Sequence, residues 1–175
     1  MAHASLSGYR RCRHLEAAPT IHASAVLAGA RAVLIRGPAG AGKSRLVLNI
    51  LHAAASGLLV FARLVADDRV HVEAVHDRLV ARPPAALAGL LEVRGIGIQQ
   101  LQYEPMALIS WVVDLDAPSP LRMPDATEAH ATIAGITLPR LAIAAGCDPI
   151  PLVLAAVTGR SRRLDDTPAP AYVAS

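Results

Sequence analysis

The chain contains one lysine and sixteen arginines, and the lysine stands inside Gly37-Pro38-Ala39-Gly40-Ala41-Gly42-Lys43-Ser44. This is a GxxxxGK[ST] phosphate loop, and its physics constrains the fold more than any other stretch does. Its glycines accept the positive φ angles that turn successive N–H groups inward. A following helix presents its positive end, and Ser44 is placed to ligate Mg²⁺. Lys43 differs here from an arginine, because a compact ammonium on a flexible stem reaches the β/γ-phosphates past a curled backbone. The bland alternative is an Ala/Gly-rich turn in an Ala-rich protein. The flanks oppose it, since RAVLIRG before the loop reads as a strand and KSRLVLNILHAAAS after it reads as a helix. Nucleotide binding is therefore the expectation.

The 175 residues predict one domain with a sizeable core. Its apolar fraction is mostly Ala, Leu and Val, with one Trp, one Phe and three Tyr, so the core is aliphatic and little aromatic surface remains for stacking bases. Net charge is only +3, and the basic clusters lie near the ends, at Arg10, Arg11, Arg13 and at Arg160, Arg162, Arg163. No basic stripe is interleaved with aromatics, which argues against a nucleic-acid partner. Cys12 and Cys147 belong to no metal-ligand spacing and are expected to be free thiols in a reducing cytoplasm. The first arginines are followed by no apolar signal segment, and the apolar stretches are broken well before the ~18 residues that span a bilayer. The expectation is a soluble, cytoplasmic protein with no membrane partner.

Residues 1–18 read as a flexible lead-in, 19–158 as the folded domain that carries the phosphate loop and 159–175 as a disordered tail. Strands are expected at 20–28 and 31–36, then a helix over 43–56 that ends at Gly57. LLVFARLVADD carries strand material up to Asp67-Asp68, RVHVEAV alternates as a half-buried strand should, and HDR turns into LVAR. Pro83-Pro84 opens a short helical piece, AALAGLL, that leads into EVRGIGIQQL. MALISWVVDL reads as a buried strand, a Pro-rich loop follows, then two short strands and a C-terminal helix, PIPLVLAAVT. The fold class is α/β, with a mixed sheet rather than a purely parallel one.

Phosphoryl transfer needs a metal-holding carboxylate and a group that activates the acceptor. Asp67 and Asp68 follow an apolar run at a predicted strand end, so one could stand near a metal and the other near a hydroxyl acceptor. The competing reading is a solvated Asp-Asp turn, or an Asp paired with Arg69. Glu92 precedes VRGIGI, where Gly95 and Gly97 would let backbone approach a ligand, though Glu92 and Arg94 could equally be a surface pair. His22 is one of seven histidines, and a strand histidine is more often structural than catalytic.

IHASAV, GPAGAGKS, LVADDRV and LLEVRGIGI, in that order and at these spacings, resemble the bacterial HPr kinase/phosphorylase family in its short, kinase-domain-only form. The resemblance covers roughly residues 20–145. It implies a P-loop kinase domain with a core like that of phosphoenolpyruvate carboxykinase, and an ATP- and Mg²⁺-dependent protein-serine kinase acting on the phosphocarrier HPr to regulate a phosphotransferase system. Self-association fits this reading. The resemblance gives the loop 37–44 to ATP, with Lys43 on the phosphates and Ser44 on Mg²⁺. Asp68 would be the base that takes the serine proton, His22 would complete the acceptor side, and Glu92 would be the second metal ligand. Arg122, in PLRMPD, matches an essential arginine of the family, at a shorter spacing.

One departure bears on activity. The Pro-x-x-Pro-Gly-Arg type segment that long members carry near their C-terminal helices is missing, and only Pro139-Arg140 occupies roughly that place. In the family that segment goes with dephosphorylation, so the phosphorylase half is in question. Two other readings stay open: a small P-loop kinase or NTPase with a small-molecule acceptor, and a non-catalytic nucleotide-binding regulator.

Overall fold

A computed structural model describes residues 19–117 and 127–159. Eleven strands and two helices follow one another as β1 Thr20–His22, β2 Ser24–Ala28, β3 Arg31–Arg36, α1 Lys43–Ala55, β4 Ala62–Ala66, β5 Arg69–Val75, β6 Arg78–Arg82, β7 Leu90–Val93, β8 Gly97–Gln100, β9 Ala107–Leu115, β10 His130–Ile133, β11 Ile136–Ile143 and α2 Ile150–Thr158 among the described residues. Nine of the strands form one mixed sheet, while β7 and β8 pair only with each other. The parallel pairs are β3 with β9 and β9 with β11, and the other named pairs are antiparallel. The mixed α/β expectation holds.

Strand β9 is the hub. Along one edge it carries β3, and along the other it carries β6 at Ala107 and Leu108 and β11 from Val112 to Leu115. Its near-continuous apolar run suits a strand covered on both faces. The same holds for β3, whose Val33 and Ile35 enter the cluster under α1 and α2, while Ala32 and Leu34 enter a second cluster with Val70, Leu79 and Ala81 of β5 and β6. Each fully buried aliphatic side chain of this kind stabilises the fold by roughly 1.5–3 kcal/mol.

Helix α1 stops where its sequence says it should. The Gly57 amide donates to Ala54 O at 3.0 Å and the Leu58 amide to Ala53 O at 2.8 Å, with Gly57 at φ +77°. That paired closure around a left-handed glycine satisfies the last carbonyls of the helix.

Three local expectations differ from the structure. The 20–28 strand is two strands: β1 pairs with β5, whereas β2 pairs with β3 and β4. The strand before Asp67 begins only at Ala62, and Leu58 and Val60 are exposed. AALAGLL contributes a single 3-10 turn, Ala85–Leu87, before Leu90 and Leu91 enter β7. Arg122, Cys12 and both terminal arginine clusters lie outside the described residues.

Candidate active site

The glycine-rich stretch 37–42 connects the end of β3 to the first residue of α1. Gly37, at φ +150°, lies so close to the end of β9 that an added Cβ would sit 3.0 Å from Leu115 O. Gly42, at φ +96°, caps α1 in the left-handed region. Both positions require glycine, one for close approach and one for its backbone angle. The amides beyond Gly42 thus open at the helix start, where the backbone dipole favours an anion.

Lys43 is 7 % exposed and folds back along the loop, its Nζ donating to Gly37 O and Pro38 O at 3.0 Å each. Burial of the ammonium pulls its pKa below the usual lysine range, against the opposing charges of Asp67 and Asp68.

The two aspartates are consecutive in sequence and opposite in placement. The Arg69 amide donates to Asp67 O at 2.7 Å, closing a three-residue turn around Asp68, which sits at φ +63°. The turn sends Asp67 inward, where it is 4 % exposed, and leaves the Asp68 side chain 66 % exposed. Asp67 Oδ1 accepts from the fully buried Ser24 hydroxyl at 2.6 Å. Ser44 Oγ lies 3.0 Å from Oδ1 and 2.9 Å from Oδ2 of the same carboxylate, and the Glu92 amide reaches Oδ2 at 3.4 Å. Asp68 instead faces His22, with Oδ1 3.4 Å from Nε2. The partner considered for it in the sequence, Arg69, is replaced by the histidine that register places opposite Arg69 on β1.

These groups share a cavity of about 480 Å³ lined by His22, Lys43, Ser44, Asp67, Asp68 and Glu92, within the size range of small-molecule sites. The structure therefore brings together every single-residue candidate that lies in the described part of the chain. Asp67 and Ser44 are both hard oxygen donors, the kind that holds Mg²⁺. Residue types alone left the division between Asp67 and Asp68 open, the resemblance gave the base role to Asp68, and both readings missed Ser24 and Arg45. A serine opening the otherwise apolar run SAVLA was the available signal for Ser24. Arg45, whose guanidinium lies 3.4 Å from where a Cβ on Gly42 would be, gave none.

Arg140 is not free to join the site. Together with Arg36 it grips Asp114, with contacts of 2.7 and 2.8 Å from Arg36 and 2.5 Å from Arg140, and it also donates to Glu128 O at 3.1 Å. Burial raises the Asp114 pKa, but the hydrogen bonds and charges of the two arginines prevail and hold it below the usual carboxylate value. Cys147 is a free, exposed thiol. No helix among the described residues is long and apolar enough to cross a membrane.

Comparison with known proteins shows the family of the chain. Residues 13–104 match the model of the HPr serine kinase C-terminal domain. The chain is 32 % identical over 122 residues to an HPr kinase/phosphorylase of Halalkalibacterium halodurans, covering 63 % of this chain and 37 % of that protein. Over 66 residues it is 38 % identical to an HPr kinase/phosphorylase of Clostridium tetani, covering 38 % of this chain and 19 % of that one. The fold is similar to that of the HPr(Ser) kinase/phosphatase from Coxiella burnetii, with a TM-score of 0.65 and 23 % identity over 80 % of this chain and 93 % of that chain. The matched segments thus span well under half the length of the two HPr kinase/phosphorylases. With the family model matching more than half of its residues, the chain belongs to the HPr serine kinase C-terminal domain family.

Proposed function

We propose that the chain is an ATP- and Mg²⁺-dependent protein-serine kinase whose acceptor is the phosphocarrier HPr, acting in the cytoplasm through a P-loop on a core like that of phosphoenolpyruvate carboxykinase. The observation that carries this reading is the turn at Asp68, which divides two neighbouring carboxylates between two jobs around one cavity. Asp67, joined to Ser44, faces the loop; Asp68, beside His22, faces the open side where a hydroxyl would arrive.

The loop amides and Lys43 hold the triphosphate, and Lys43 exchanges its contacts with Gly37 O and Pro38 O for phosphate oxygens. Ser44, Asp67 and Glu92 would hold the Mg²⁺, which supplies positive charge to the β- and γ-phosphates. The serine Oγ of the acceptor attacks the γ-phosphorus in line. The bond to the β,γ-bridging oxygen breaks, ADP leaves, and the serine proton passes to the Asp68 carboxylate. An aspartate is a poor base for a free hydroxyl, so proton transfer is late and alignment contributes most of the acceleration. His22 orients Asp68, and Arg122 would add positive charge to the transferring group.

The test is incubation of purified HPr with this protein and Mg-ATP, followed by intact-mass and peptide analysis, beside a panel of small hydroxyl acceptors. One added phosphate on an HPr serine is expected. Transfer to a small acceptor instead, or nucleotide binding with no transfer at all, would replace this reading with one of the two alternatives.

A further inference from the structure

Strand β9 changes partners along one edge. There β6 holds it at Ala107 and Leu108 and β11 from Val112 onward, so Ile109, Ser110 and Trp111 pair with neither strand. On the other edge the register to β3 shifts between Ala32 and Val33, with Ser110 the extra residue of a bulge. A cavity of about 710 Å³ opens at this fork, within the size range of small-molecule sites. It lies at the start of β3, a strand of six residues whose far end leads into Gly37. Roughly 20 Å of strand therefore separate it from the phosphate loop.

The wall of this cavity has two parts. Leu108 and Trp111 of β9, Ile136 and Leu138 of β11 and Val157 of α2 form an apolar side, and all five are only half-buried. Arg31 enters from the β2–β3 hairpin, and Asp77 with Arg78 from the turn between β5 and β6. All three are exposed, and none belongs to an ion pair among the described residues. Exposed arginines alone are ordinary surface. Their convergence with a half-buried tryptophan and four aliphatic side chains in one concavity is not.

We propose that this cavity binds a small amphipathic monocarboxylate, with its carboxylate between Arg31 and Arg78 and its hydrocarbon body against Trp111, Ile136 and Val157. A guanidinium fork matches a carboxylate in both shape and charge. Asp77 opposes groups of higher negative charge, such as a phosphate ester, and the apolar side excludes a ligand that is charged at both ends. The site stands apart from the kinase reading, and its failure would leave that reading untouched.

The single tryptophan of the chain makes the inference measurable, because Trp111 is part of the wall. Tryptophan emission is followed while the full chain is titrated with hexanoate, with hexan-1-ol and with adipate, and saturation-transfer NMR on the same ligands gives a second readout. Hexanoate should bind saturably by both. Hexan-1-ol has no charge for the arginines, and adipate sets a second carboxylate against the apolar side, so each should bind at least about tenfold more weakly. Arg31→Gln and Arg78→Gln change exposed side chains and should leave thermal melting within about 1 °C of the parent. Each should weaken hexanoate about tenfold and hexan-1-ol less than about twofold. Three results would overturn the site: no saturable binding of hexanoate up to about 20 mM by either readout, adipate or hexan-1-ol binding as well as hexanoate, or hexanoate affinity unchanged in both arginine variants.

Discussion

The hydroxyl of Ser44 lies 2.9 Å from one oxygen of Asp67 and 3.0 Å from the other, and the pair is held from behind by Ser24 at 2.6 Å. Both residues are oxygen donors that would hold a divalent cation, which would supply positive charge there. Asp67→Asn keeps the shape but removes the charge, so the Mg²⁺ concentration for half-maximal transfer should rise and the maximal rate should fall about a hundredfold. A rate loss with unchanged Mg²⁺ dependence would show that Asp67 only positions Ser44.

Asp68, the base proposed above, sits on a costly backbone. A non-glycine residue at φ +63° carries strain of about 1–3 kcal/mol, which Asn tolerates nearly as well as Asp and glycine relieves. Asp68→Asn should therefore fold with unchanged stability, bind ATP normally and lose most transfer. Asp68→Gly should lose the same activity while gaining about 1 kcal/mol of stability. Thermal melting of the three chains checks this, and a less stable glycine variant would show that the turn is not strained.

Lys43→Arg is expected to lower transfer by more than tenfold, about 1.4 kcal/mol of barrier. The ammonium fits between two carbonyls 3.0 Å away in a nearly closed space, and a planar guanidinium cannot sit there as a point charge. Steady-state kinetics on phosphoserine formation, with folding verified by circular dichroism, decides it.

Asp114 ties β3, β9 and β11 together through Arg36 and Arg140. Its two arginine partners hold its folded pKa below the ordinary aspartate value, so it contributes stability that is fully present above the unfolded pKa and is lost as pH falls through the folded one. Asp114→Asn should cost about 3 kcal/mol at pH 7, because two partly buried guanidinium groups lose their counter-charge. The difference from the parent chain should shrink below pH about 4. Denaturant unfolding at both pH values is the measurement, and a constant difference would assign the loss to packing.

The phosphate-driven reverse reaction should be weak. Attack by inorganic phosphate on phosphoserine brings two anions together and needs donors beyond those of the forward direction. The arginine nearest the missing segment, Arg140, is already committed to Asp114 and Glu128 O. Pyrophosphate release from phosphoserine-HPr at a rate near that of the kinase reaction would refute this.

What the sequence made legible was local. The phosphate-loop motif, the stop of α1 at Gly57 and the buried runs of β3 and β9 each carry their signal within a dozen residues. The break at Ala23 was hidden because β1 and β2 are told apart by pairing alone, β1 with the distant β5 and β2 with β3 and the distant β4. Ala and Leu favoured a helix at 85–91. The closing of Gly89 on β8 overrode that propensity: the Leu101 amide donates to Gly89 O at 2.8 Å, and an added Cβ would meet Leu101 O at 2.9 Å. The opposite placement of Asp67 and Asp68 could not be read from two identical letters: the resemblance singled out Asp68, and the turn at φ +63° is what separates the two side chains.

The hub position of β9 also sets an order of events during synthesis. The glycine-rich loop is encoded early, yet its supporting strand β3 pairs in parallel with residues more than seventy positions later, as the Arg36–Asp114 contact shows. A ribosome-bound chain that ends before Ala107 has β2 and β3 but lacks the strand against which Gly37 is packed. The site proposed for the nucleotide thus waits on distant chain, and such non-local closure is slow. A nascent chain should acquire nucleotide affinity abruptly, when β9 emerges from the exit tunnel, and not gradually as the motif itself is made.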